Sequence, residues 1–78
     1  MVRIKSVQPK ENYTLLLTFT DGKEGVFDAK PYLTTGSVFK EIQDKAIFNS
    51  VRVNHGTIEW ANGADLCPDC VYLQTNFY

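Results

Sequence analysis

The chain has 78 residues, 22% charged and 44% apolar, with a formal net charge of −1. That composition is globular, not disordered, and the length supports one small domain over residues 1–78 that buries about two-thirds of its unfolded surface. The eight basic residues are scattered from Arg3 to Arg52, so no phosphate-tracking face is expected, and no apolar run is long enough to span a bilayer.

In chain order, Met1-Val2-Arg3-Ile4 already alternates like a strand and not like a signal peptide. Two cysteines without a secretory signal predict reduced thiols and a cytoplasmic protein. Val2 to Val7 reads as an edge-like strand, with Val2 and Ile4 on one face. Val7 breaks the alternation and places a bulge or strand end near Ser6. Pro9-Lys10-Glu11-Asn12 is turn chemistry. Tyr13 to Thr20 is the clearest strand, with Tyr13, Leu15, Leu17 and Phe19 on one face and Thr14, Thr18 and Thr20 on the other. Leu16 on the polar side implies that part of that face is covered. Asp21-Gly22 closes a hairpin, and Glu24 to Asp28 follows as a strand weakened by Gly25. These three segments form an antiparallel meander whose outer strands are Val2 to Val7 and Glu24 to Asp28.

Asp28 caps a short turn through Pro31-Tyr32-Leu33. Ser37 is the expected N-cap of a helix with Val38, Phe39 and Ile42 on one face. Asp44 starts another turn that buries Ile47 and Phe48. Val51 to Asn54 and Thr57 to Trp60 alternate again and are joined by His55-Gly56. Asn62-Gly63 turns the chain into a helix entry at Asp65-Leu66-Cys67-Pro68. Pro68 takes the first helical position, Cys67 is the cap, and Leu66 and Val71 form a hydrophobic staple. The helix runs from Pro68 to Gln74, with Tyr72 and Leu73 available for burial, and Thr75 to Tyr78 carry Phe77 and Tyr78. The predicted fold is α+β: an antiparallel sheet, as a three-stranded meander plus a two-stranded hairpin, with short helices packed on one face. The expected core is Leu15, Leu17, Phe19, Val38, Phe39, Ile42, Phe48, Val51, Val53, Ile58, Trp60 and Leu66.

The residues that carry a family resemblance span nearly the whole chain. They are Tyr13-Thr14-Leu15, Phe19 with Asp21-Gly22, Asp28, Val38-Phe39, Asp44 and Phe48 with Val51. They continue through Ile58-Glu59-Trp60-Ala61-Asn62-Gly63-Ala64-Asp65-Leu66, Pro68-Asp69 and Tyr72. On these the chain resembles the small bacterial family called domain of unknown function 2442, which is similar to the N-terminal domain of certain two-domain helix-turn-helix proteins. The block from Ile58 to Leu66 is the specific one. The resemblance implies a prokaryotic cytoplasmic protein, in some members encoded beside another small protein as in toxin–antitoxin or regulatory pairs. It carries over no catalytic residue. With 78 residues there is no room for an appended helix-turn-helix, so any DNA-linked role is expected to come through a partner.

Among the chemistry-bearing residues, Cys67-Pro68-Asp69-Cys70 is a C-x-x-C at a helix start, where a thiol of lowered pKa could cycle as a dithiol. Asp69 opposes the thiolate, and no βαβ context surrounds the pair. A structural zinc needs four ligands, and only His55, Asp65 or Asp69 stand in reserve. His55 fits the turn better than a catalytic role, and Asp65 and Asp69 fit capping better than a carboxylate pair. No glycine-rich phosphate loop is present. Trp60 and Tyr72 have the amphipathic rings that anchor interfaces, although core packing serves Trp60 equally well.

The reading is a non-enzymatic protein-interaction module of regulatory or toxin–antitoxin-like type, without cofactor and without direct nucleic-acid or membrane binding, whose partner is another protein or itself. Candidate binding residues are Trp60, Asn62, Asp65, Tyr72, Phe77 and Tyr78. The C-terminal aromatics are favoured over a sheet edge. The alternative is a metal-binding or redox-active protein built on Cys67 and Cys70.

Overall fold

A computed structural model of the protein describes residues 2–78; Met1, which opens the alternating run Met1-Val2-Arg3-Ile4, lies outside them. Seven strands form two antiparallel sheets. The first has the order β1-β2-β3-β7, from β1 (Ile4–Lys10), β2 (Thr14–Phe19), β3 (Glu24–Asp28) and β7 (Asn76–Phe77). The second has the order β4-β5-β6, from β4 (Arg52–Asn54), β5 (Thr57–Glu59) and β6 (Asp65–Leu66). Three short α-helices, α1 (Ser37–Lys40), α2 (Lys45–Phe48) and α3 (Pro68–Gln74), complete an α+β fold. The sheets meet where the amide of Ile4 donates to the carbonyl of Gly56 at 3.0 Å.

Period-2 patterning does most of the work in the meander. Leu15, Leu17, Phe19 and Phe27 are fully buried on one face, opposite the threonines. Leu16, on the other face, is half-buried and pairs with Val26. Fully burying a Leu or Phe side chain contributes about 1.5–3 kcal/mol, so these four residues anchor the sheet. The bulge expected near Ser6 is present between Ile4 and Ser6.

The first hairpin turn lies later than Pro9-Lys10-Glu11-Asn12. β1 continues through Pro9 and Lys10, and the chain reverses at Asn12 and Tyr13, both at positive φ. Proline is accommodated because β1 ends the sheet order, where a missing N–H breaks no ladder bond on the open side. Nor is β3 an outer strand: β7 pairs with it through Gly25–Phe77 and Val26–Asn76. Gly25 permits this approach, because a Cβ there would fall on the carbonyl oxygen of Asn76 and within 2.8 Å of the Phe77 Cα. The expected two-stranded hairpin gains a third strand, since Asp65-Leu66 extends alongside β5 before the helix begins at Pro68. Leu66 and Val71 are both buried, as a staple requires.

Asp44 caps α2 by accepting the Ala46 amide at 2.9 Å. Ser37 does not cap α1; it is the first helical residue, and Gly36 precedes it. Because α1 is a single turn that tightens into a 3₁₀ turn over Glu41–Gln43, it aims Ile42 inward and leaves Val38 43% exposed. Val38 is therefore not core, while Phe39 and Val53 are half-buried against it. Ile4, Phe27, Ala29, Leu33, Ala64 and Val71 join the buried set instead.

Candidate functional site

Trp60 follows β5 and packs inward, 3% exposed, with its Nε1 donating to the Phe48 carbonyl at 3.1 Å. Its ring lies 6.5 Å from both Phe48 and Phe39. Asn62 is half-buried in the next loop. Its Nδ2 donates to the Val38 carbonyl and to Glu41 Oε1, both at 2.9 Å, and its Oδ1 accepts the Ala64 amide. It ties the β5–β6 loop to α1. Asp65 is exposed in β6, opposite Glu59. These three residues belong to one end of the second sheet and leave little of Trp60 for a partner.

Tyr72, Phe77 and Tyr78 lie elsewhere, at the junction of α3 with β7. The helix buries Pro68 and Val71, and Thr75 at its C-cap is buried as well. At about 100° per residue, Leu73 stands far round the helix from Val71, and it is 85% exposed instead of packing inward. Tyr72 is half-buried, edge-on to Phe19 at 4.9 Å, and its hydroxyl donates to Asp21 Oδ2 at 2.8 Å. The Lys23 backbone amide first, and then the Tyr72 hydroxyl, hold the Asp21 carboxyl below its ordinary value. Phe77 lies 4.8 Å from Tyr72, and the Lys23 ammonium sits over both rings at 5.9 and 5.7 Å. Tyr78 is 81% exposed, and its amide donates to the Glu24 carbonyl at 3.0 Å. Val2, Asp69, Tyr72 and Leu73 line a shallow depression of about 340 Å³ on this side. Nothing in the sequence marks Leu73 as a surface residue, because helical phase is set by what the helix packs on.

Cys67 caps α3 by position, without a side-chain cap bond, and both Cys67 and Cys70 are free and exposed. The Cys70 thiol, followed by the Cys70 amide, lowers the pKa of Cys67, against opposition from burial and from Asp69. The same thiol–thiol interaction raises that of Cys70. Among the described residues no three His, Cys, Asp or Glu side chains gather as a metal site. His55 is exposed in its turn.

The chain matches the protein-family model "Protein of unknown function (DUF2442)" over residues 4–75. The chain belongs to this family. No curated protein and no solved structure matches it. The matched span of DUF2442 takes in α3 and both cysteines but stops before Phe77 and Tyr78. Among the described residues no helix is long and apolar enough to cross a membrane.

Proposed function

We propose that this DUF2442 chain is a non-enzymatic protein-interaction module that docks through the α3–β7 edge, with a second copy of itself as the occupant. The carrying observation is Leu73, 85% exposed beside Tyr72, whose ring meets Phe77 of a strand that ends its sheet with the outer edge unpaired among the described residues. An antiparallel strand edge is self-complementary under a two-fold axis. The patch carries both Lys23 and Asp69, so two copies can face opposite charges across it. A regulatory or toxin–antitoxin-like role in a bacterial cytoplasm is the class of function such a module serves.

Light scattering over a concentration series tests this. A dimer mass for wild type that falls to a monomer in Leu73→Asp, with an unchanged far-UV spectrum, is the expected result. A wild-type monomer at every concentration overturns self-association and leaves the surface to a different protein.

A second reading has its own support in the split thiols of Cys67 and Cys70. There the Cys67 thiolate attacks a low-molecular-weight disulfide and expels one thiolate. The Cys70 thiolate then displaces the other, leaving a Cys67–Cys70 disulfide and a reduced thiol pair. Incubation with glutathione disulfide, read by intact mass, separates the two readings: loss of two hydrogens, reversed by reduced glutathione, favours the redox reading.

A further inference from the structure

At the opposite end of the molecule, the β1–β2 turn and the last turn of α2 enclose an open groove of about 600 Å³. Its apolar floor is Tyr13 and Phe48, whose rings meet edge-on at 5.2 Å. Lys10, Asn12, Lys45 and Asn49 line its walls. No hydrogen bond or ion pair within the described residues engages any of these four side chains. Glu11 also lines the groove and is likewise unengaged, so the walls carry two cations against one carboxylate.

The backbone beneath is fixed in an unusual state. Asn12 stands at φ 58° and ψ 34°, and Tyr13 at φ 57°. Tyrosine there is a genuine outlier, and such outliers cluster at ligand clamps. Three contacts hold it: the Tyr13 hydroxyl on the Gln43 carbonyl at 2.6 Å, the Phe48 ring, and the Lys30 ammonium on the Asn12 carbonyl at 2.8 Å. Held in this conformation, the chain lays the Tyr13 ring against Phe48 as floor and places Asn12 on the wall.

We propose that this groove binds a small organic anion, a carboxylate or phosphate ester carried on a flat apolar body. The rings take the body, the two ammonium groups take the anion, and the two carboxamides supply directional hydrogen bonds. The volume falls within the range of small-molecule sites. The surface is remote from the α3–β7 edge, so this site does not depend on how that edge is used.

The test uses 1-naphthyl phosphate as probe, with 1-naphthol and inorganic phosphate beside it, followed by amide chemical shifts of labelled protein. The expected result is saturable one-to-one shifts at residues 10–13 and 45–49 with 1-naphthyl phosphate. The double variant Lys10→Ala/Lys45→Ala should bind about tenfold more weakly. Both lysines are exposed, so the variant keeps its fold, and its spectrum away from the groove serves as the control. Equal affinity for 1-naphthol, or for inorganic phosphate, overturns the two-part recognition. Shifts confined to α3 and β7, or an unweakened double variant, overturn the site.

Discussion

Asn12-Tyr13 and His55-Gly56 both reverse an antiparallel pair with two consecutive residues at positive φ. In the second, glycine takes the position where a side chain is most strained, φ 78°, and the hairpin is specified within four residues. In the first, a tyrosine takes that position, at a cost of roughly 1–2 kcal/mol in the left-handed region. It remains there because contacts from distant segments hold it: Phe48 and Gln43 on its side chain, Lys30 on the preceding carbonyl. One turn is written locally, and the other is imposed by the folded core. A locally written turn needs no function to explain it, whereas an imposed one directs attention to the groove it shapes.

Phe48 is where that difference is most exposed, because it packs on Tyr13 of the first hairpin and on Trp60 beside the second. Phe48→Ala should cost about 3–5 kcal/mol and unfold much of the chain in a urea titration. A loss under 1 kcal/mol would mean that the two hairpins do not share this support. Tyr13→Ala should cost about 2–3 kcal/mol, since it loses the packing and keeps the strain. Tyr13→Gly should then be more stable than Tyr13→Ala by about 1 kcal/mol, the reverse of the usual ranking in regular structure. The same denaturant midpoints in the opposite order would show that residue 13 is not held left-handed in solution. Gly56→Ala should cost about 1–2 kcal/mol, because the added Cβ is strained and meets the Arg3 side chain.

The smallest effect is in acid. The Lys30 amide holds the Asp28 carboxyl below its ordinary value of 3.8; burial opposes it, and the Lys30 side-chain hydrogen bond and charge add to the lowering. A depressed carboxylate stabilises the fold fully above that ordinary value and loses its contribution as pH falls through the lower folded value. Lys30 also holds the Asn12 carbonyl, so protonating Asp28 should reach the first turn. The second turn has no such carboxylate behind it: the Arg3 side chain holds the His55 carbonyl. The Asn12 and Tyr13 amide shifts should titrate with a midpoint below 3.8, the ordinary value for the carboxyl. A midpoint at or above that value would uncouple the turn from Asp28.

What could be read in the residues follows the same division between local and imposed structure. The alternation in β2, the Asp44 cap, the His55-Gly56 turn and the Pro68 helix start each rest on interactions within a few positions, and each stands where expected. Tyr13 reads as a strand residue because its turn conformation is set by Phe48 and Gln43. Val38 reads as core because nothing local reveals that its helix lasts one turn. β7, with two residues, carries no periodicity at all, and Gly25 reads as a weak point until its partner is seen. For the candidate residues, chemistry was legible but grouping was not. Tyr72 and Phe77 converge with Lys23, while Trp60 and Asn62 serve the other sheet. The groove beside Tyr13 had no sequence signal, because its walls come from two distant segments.

Gly25 also bears on the order in which the molecule assembles. β3 and β7 are far apart in sequence, Val26 pairing with Asn76, and closing so long a loop is entropically slow beside forming the β2–β3 hairpin. In any state where the meander has formed and α3 has not docked, β3 is a bare edge whose backbone groups are open to other chains. The glycine that admits β7 leaves that edge without a side chain at one of the two positions where β7 pairs. Protection of β3 from aggregation is thus conferred late, by the last strand to arrive, and conditions that loosen α3 would release it first.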